Sequence, residues 1–403
     1  MQLDVLGLLG ACSHALDCVE SELVGVTGSH SKRVAYMSVC IAEELGISGE
    51  ALCDLAACAL LHDNALTQYI QEELELGADP LSAVGESRRL GVHCLMGEEN
   101  ISGLPFLTDV RNVILLHHEN ADGSGPFGRK SGETPVFARI IHLSDLLDAF
   151  CRAESFTPDV WNRAQSFLLS ACPRICDGEC VGAFRRAFPM EHFLTLGSGV
   201  ERRLREKAPH TRRELSFSQI RSIADFFAGI VDYKSPFTST HSIGVAARAE
   251  GLSRFMSLGE DTAEKMYLAG ALHDIGKVAI TGDILEKPGK LTDSEFSEMR
   301  RHAKYTWDML SEVEGFGEMR CWAAFHHERL DGSGYPFGLT AEELDIPSRI
   351  MACADIYQAL TENRPYKSGM SHEEACSILR GMAGRGWLDA GIVENACVCF
   401  GRS

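Results

Sequence analysis

The strongest constraint on this 403-residue chain is an internal repeat. Residues 117–128 read HHENADGSGPFG and residues 326–338 read HHERLDGSGYPFG, the second with one extra residue, Tyr335. Each string belongs to an ordered series of histidines and aspartates. In the first half His30 lies in TGSHSKRVA, followed by His62-Asp63 in LHDNAL, His93, His117-His118 and Asp145 in LSDLLDAF. In the second half His241 lies in TSTHSIGVA, followed by His273-Asp274 in LHDIGK, His302, His326-His327 and Asp355 in CADIYQAL. The first interval is 32 residues in both halves, the next 31 and 29, the next 24 in both, and the last 27 and 28. A single histidine means little, but a whole set of ligand-type positions repeated in order points to one architecture used twice.

The local patterns around these positions are helical. TDSEFSEMRRHAKYTWDML (292–310) opens with a Thr292/Glu295 capping box and predicts one helix carrying His302. In DTAEKMYLAGALHD (261–274), Met266 and Ala269 fall on one face with His273, so the His-Asp pair is expected near a helix end. IPSRIMACADIYQAL (346–360) places Pro347 near the start of a helix and Asp355 two turns in. No segment carries a convincing strand alternation. The expectation is an all-α protein of two tandem domains: 1–196, an Arg-rich solvated linker at 197–216, and 217–403. MQLDVLGLLGAC is read as the first helix, because it lacks the basic segment and long apolar run of an export signal.

The second-half set is His241, His273, Asp274, His302, His326, His327 and Asp355. Imidazole and carboxylate together suit iron, manganese or zinc. Seven side chains are too many for one tetrahedral zinc and suit two ions with open positions. Asp274 has two oxygens and can bridge them. Two ions with a bridging hydroxide are a general means of phosphoester hydrolysis.

HDIGK, HHERLDGSGYP and ADIYQALTENRPYK resemble the HD-GYP family of bacterial phosphodiesterases, within the HD superfamily of phosphohydrolases, over roughly residues 217–400. The resemblance implies metal-dependent hydrolysis of a cyclic dinucleotide, cyclic di-GMP or 3′3′-cyclic GMP-AMP, to a linear dinucleotide. It implies that the seven residues are metal ligands for two ions, iron or manganese more often than zinc. It places Lys277 on the active-site phosphate and Tyr335, Arg364 and Lys367 on substrate. A glutamate that in some members helps hold a third ion is here Phe237, and Leu330 stands where a tryptophan is common. Some members that hydrolyse 3′3′-cyclic GMP-AMP carry a degenerate HD domain ahead of the active one, the arrangement expected here.

The first half keeps His30, His62, Asp63, His93, His117, His118 and Asp145, a candidate second metal site. It has Leu66 in place of Lys277, lacks Tyr335, and has Glu154 in place of Arg364. Glu154 would repel a phosphate. The favoured reading is a metal-filled, silent partner. A module sensing metal, redox state or a small ligand is the second, and another phosphoester active site the third. For the whole chain the rival is a receptor that binds the dinucleotide and signals to a protein partner. A hydrolase of mononucleotides is a further alternative.

The net charge of −19 argues against a polymeric nucleic acid as partner. No apolar run approaches the roughly 18 residues of a membrane span. Fifteen scattered cysteines and no export signal indicate reduced thiols in a cytoplasmic protein. Cys172, Cys176 and Cys180 have a metal-compatible spacing, but Pro173 and Asp177-Gly178 predict a turn through it. The oligomeric state is not legible.

Overall fold

The computed structural model describes residues 1–24, 29–66, 68–70, 87–151, 156–208, 212–233, 241–285, 287, 289–363 and 368–401. The chain divides into two compact units. One is Val5–Thr211, here the first unit. The other is Arg212–Ser403 together with Met1–Asp4, here the second. No described helix is long and apolar enough to cross a membrane.

The first unit is built on helices α1 (Val5–Val24), α2 (His30–Glu44), α3 (Glu50–Leu60), α4 (Ser87–Ile101), α5 (Val136–Cys151), α6 (Pro158–Ala171), α7 (Gly178–Ala187) and α8 (Val200–Lys207). α2 is central and packs on α3, α5, α7 and α8. Thr157 and Asp177 cap α6 and α7 with their side-chain oxygens, and the expected turn is present over residues 172–175, just before α7.

The second unit contains α9 (Phe217–Tyr233), α10 (His241–Phe255), α11 (Glu260–Leu272), α12 (Arg301–Leu310), α13 (Gly317–Ala324), α14 (Ile346–Thr361), α15 (His372–Gly384) and α16 (Ala390–Phe400). α10 packs on α11 and α14, as α2 packs on α3 and α5. Small side chains allow this. Ala246, Ala249, Ala263, Ala269 and Ala271 are fully buried. A Cβ on Gly270 would lie 2.7 Å from the Cα of Ala246, so α10 and α11 meet backbone to backbone.

Three expectations change. The predicted helix over 292–310 is two, Asp293–Met299 and α12, parted at Arg300. The Thr292/Glu295 box is present. At the break the Met299 carbonyl accepts from the His302 imidazole (2.7 Å). Second, a two-stranded ribbon exists: Gln2–Asp4 (β1) pairs antiparallel with Arg212–Glu214 (β2). Its partners are more than 200 residues apart, beyond any local pattern. Third, the segment 197–216 is no solvated linker. Val200 and Leu204 of α8 are buried against the first unit, Lys32 bonds Glu201 at 2.9 Å, and β2 belongs to the second unit.

Candidate functional site

In the second unit all seven sequence-predicted ligand positions converge. His241 opens α10, His273 follows α11 directly, and His302 is the second residue of α12. His326 and His327 sit in the turn after α13, and Asp355 lies inside α14. Asp274 stands between two histidine pairs. Its Oδ2 is 3.2 Å from His273 Nε2 and 3.9 Å from His241 Nε2. Its Oδ1 is 3.4 Å from His302 Nε2 and 3.8 Å from His326 Nε2. Asp355 adds a second carboxylate, 3.2 Å from His241 Nε2 and 3.9 Å from His327 Nδ1.

The backbone fixes which nitrogen points inward. His273, His302 and His326 each donate Nδ1–H to the carbonyl three residues upstream, at 2.6–2.7 Å. His241 Nδ1 pairs with Glu362 at 2.9 Å. Each Nε2 therefore faces the centre, and those of His273, His302 and His326 keep a lone pair, the state a metal needs. His273 Nε2 and Asp274 Oδ1 are buried without a hydrogen-bond partner. Buried polar atoms without partners are costly. A pair of cations between the poles of Asp274 would satisfy both, so these residues fit two divalent ions.

Electrostatics agree. Burial alone would raise the Asp274 carboxyl, but His273 and Lys277 outweigh it and hold it well below the usual carboxylate range. Burial lowers His302 and His326 and pushes His327 down to about 3, so these rings are neutral. Burial opposes charge on His241 too, but Asp355 and Glu362 lift it to about 10. Lys277 Nζ lies 2.5 Å from Asp274 Oδ2. The half-buried Tyr335 ring sits 4.7 Å from the His327 ring, with the Arg300 guanidinium 4.5 Å from its own centroid. Arg364, Lys367, Phe237 and Glu154 lie outside the described residues. Leu330 packs with the Phe325 and Leu344 cluster.

The first unit repeats the arrangement. Asp63 Oδ2 is 3.3 Å from His62 Nε2, and Oδ1 is 3.3 Å and 3.4 Å from His93 and His117 Nε2. Asp145 lies 3.5 Å from His30 and 3.9 Å from His118. His62 and His117 donate Nδ1–H to the carbonyls of Ala59 and Ile114, and His30 Nδ1 pairs with Asp148 at 2.7 Å. His62 Nε2, Asp63 Oδ1 and His117 Nε2 are buried and unpartnered, so this set also fits metal. Leu66, in place of Lys277, is buried and packs with Tyr69 and Ile70. Among the described residues Cys172, Cys176 and Cys180 do not come together as a metal group. Burial pushes the Cys176 and Cys180 thiols up to about 12.

Several contributors were missed in the sequence. Glu328, the third residue of HHE, is no ligand: its carboxylate accepts from the amides of Phe337, Gly338 and Leu339 at 2.7–3.1 Å. Glu119 does the same for Phe127 and Arg129. This clamp folds the loop in both halves, so loss of the tyrosine shortens the loop without undoing it. Glu362 and Asp148 orient the first histidine of each set, from different positions relative to Asp355 and Asp145, which hid the equivalence. Arg300 precedes α12 and carries no motif.

A family model described as HD domain matches residues 17–167 and 225–392. A Vibrio cholerae serotype O1 protein named 3′3′-cGAMP-specific phosphodiesterase 1 is 33% identical over 397 residues, covering 94% of this chain and 90% of its own length. A second, named 3′3′-cGAMP-specific phosphodiesterase 3, is 31% identical over 71% of this chain and 62% of its own. A cyclic di-GMP phosphodiesterase of Pseudomonas aeruginosa is 43% identical over 34% of each chain. The crystal structure of a V. cholerae cyclic GMP-AMP specific phosphodiesterase (V-cGAP3) aligns with a TM-score of 0.68 over 100% of this chain and 98% of its own. At 23% identity that likeness concerns the fold.

Proposed function

This chain belongs to the HD domain family, in two tandem copies of which the second is of the HD-GYP type. On that premise we propose that it is a metal-dependent phosphodiesterase that opens a cyclic dinucleotide to its linear form. The observation that carries the reading is the second-unit centre: one aspartate whose two oxygens face separate histidine pairs, beside a lysine and an accessible tyrosine. A relative matching along both units is named for 3′3′-cyclic GMP-AMP, whereas the Pseudomonas relative named for cyclic di-GMP matches about a third of the chain. This favours 3′3′-cyclic GMP-AMP over cyclic di-GMP.

His241, His273, Asp274, His302, His326, His327 and Asp355 would hold two divalent ions, iron or manganese given the absence of a thiol in the set. Such a pair supplies a nucleophile at neutral pH and neutralises charge on phosphate oxygens. The protein's own residues do the rest. Lys277, at the edge of the centre, pairs with a phosphate oxygen as negative charge grows there. Tyr335 offers its ring to a base, and Arg300 stacked on that ring adds a cation for the sugar-phosphate. Arg364 and Lys367 are assigned to the same phosphates from their motif. The first unit keeps a ligand set but lacks Lys277 and Tyr335 equivalents, and acts as a metal-filled, silent partner. No disulfide joins the described cysteines, in keeping with a cytoplasmic protein.

The test is product analysis by chromatography. Manganese- or iron-loaded protein is incubated with each dinucleotide, beside an Asp274→Ala control. Both cyclic substrates or the GMP-AMP form alone should give linear product, and the control should lose turnover and metal from the second unit together. Metal-replete protein that turns over neither would overturn the reading, as would full activity in the control.

A further inference from the structure

The two centres differ in one direction. Where the second unit has Ala303, next to His302, the first has Cys94, next to His93. Where the second has Ala352, one turn before Asp355, the first has His142, one turn before Asp145. The first unit has therefore lost the groups suited to gripping a phosphate and gained two donors suited to gripping a cation.

Both added side chains lie at the centre. Cys94 is fully buried, with Sγ 3.7 Å from His93 Nε2 and 3.8 Å from His117 Nδ1. One donor atom from each of His93, Cys94, His117 and His118 lies within 4.8 Å of every other. Zinc-type bonds of about 2.1 Å to nitrogen and about 2.3 Å to sulfur set such donors about 3.5 Å apart in a tetrahedron. The 3.7 Å from sulfur to His93 Nε2 is close to that, and His117 would bind through Nε2, since its Nδ1 donates to the Ile114 carbonyl. His142 is 5% exposed, sits with its ring 6.5 Å from that of His118, and has both ring nitrogens buried without a partner. His93 also differs from His302: its Nδ1 has no hydrogen-bond partner, so its ring is not tied to the carbonyl three residues upstream.

We propose that the first unit holds a cysteine-ligated metal site, in which Cys94 joins His93, His117 and His118 around a thiophilic divalent ion of the zinc class, with His142 beside it. On binding, the thiol proton leaves to solvent and the sulfur forms the bond to the ion. Soft sulfur separates this site from the all-imidazole-and-carboxylate centre of the second unit, so one chain sorts two kinds of metal. Four protein donors leave fewer positions for water or phosphate, which suits a site that does not turn over substrate. The inference rests on the reading that the first unit holds metal.

Cobalt(II) tests it, because a thiolate bound to cobalt gives a near-ultraviolet sulfur-to-metal charge-transfer band. Full-length protein is loaded with cobalt, and its metal content and absorption are recorded beside Cys94→Ala, Cys94→Ser, Cys58→Ala and Asp63→Ala. Alanine at 94 copies Ala303 and alanine at 58 copies Ala269, so both variants are built to fold, and the serine variant decides if Cys94→Ala does not. The expected result is a band in the parent and in Cys58→Ala that is lost in both Cys94 variants. If Asp63→Ala lowers the cobalt content but the parent shows no band, or the band survives in Cys94→Ala, the cysteine ligand is refuted while the first-unit metal stands. If Asp63→Ala leaves the cobalt content unchanged and the parent shows no band that depends on Cys94, the first-unit metal falls and this inference with it.

Discussion

Asp232, on α9, is buried, and its carboxylate accepts from the hydroxyl of Ser242, which follows the first histidine of the second set. Burial raises this carboxyl to about 6, with the Ser242 bond acting against the rise. The folded state therefore holds the proton more tightly than the unfolded chain. Such a group costs stability when ionised, fully so above pH 6, and the cost fades as pH falls from 6 toward the ordinary carboxylate value. The cost at neutral pH is about 3 kcal/mol. Asp232→Asn keeps the acceptor for Ser242 and removes the charge. In chelator-treated protein it should melt several degrees above the parent at pH 7.5 and with the parent at pH 4. An equal difference at both pH values, measured by calorimetry, would refute this origin. The first unit pairs Ser31 with Asp17 in the same way, so the contact is part of the repeat.

At the scale of elements, the loop between α11 and the short helix Asp293–Met299 presses on α12. A Cβ on Gly276 would lie 2.0 Å from the His302 carbonyl oxygen and 2.6 Å from the Thr306 nitrogen. Thr306 Oγ1 accepts from the Gly276 amide at 3.0 Å and donates to the His273 carbonyl at 2.9 Å. One hydroxyl thus ties the His-Asp turn to the helix that carries His302. Gly276→Ala should push α12 away, cost about 3 kcal/mol in urea unfolding, and lower metal retention in the second unit. Wild-type stability and metal content would show that the turn can give. The first unit solves the same contact differently. Asn64 donates to the carbonyls of Leu61 and Gly97, and Gly97 stands where the second unit has Thr306.

At the scale of the whole chain, Met1–Asp4 belongs to the unit formed by the far half. Leu3 is fully buried and β1 supplies the partner of β2. Leu3→Ala should destabilise the second unit by about 3 kcal/mol. It should also speed amide exchange across Arg212–Glu214. Unchanged exchange there would mean that the ribbon is held by its hydrogen bonds alone. A fragment beginning at residue 212 lacks this strand, so the second unit is best assayed in the full chain.

The sequence by itself determined the duplication, the helical class and the identity and order of the residues in both candidate ligand sets. Those rest on residue type and on periods of 3.6 residues, which neighbours along the chain dictate. It also determined which copy lost its lysine and tyrosine, since those are matters of composition at aligned positions. Tertiary structure alone decided which atoms meet. The two faces of Asp274, the carbonyls that turn each Nε2 inward, and the amides gathered by Glu328 depend on where helices cross and end. The β1–β2 pairing and the docking of α8 join segments about 160 to 210 residues apart along the chain, and no local pattern announces a partner at that distance. Cys94 and His142 stood in the sequence as one cysteine among fifteen and one histidine among fifteen. Only the packing of α4 and α5 around Asp63 and Asp145 brought them to a metal-sized space, because convergence of donor atoms is a property of the fold rather than of the chain.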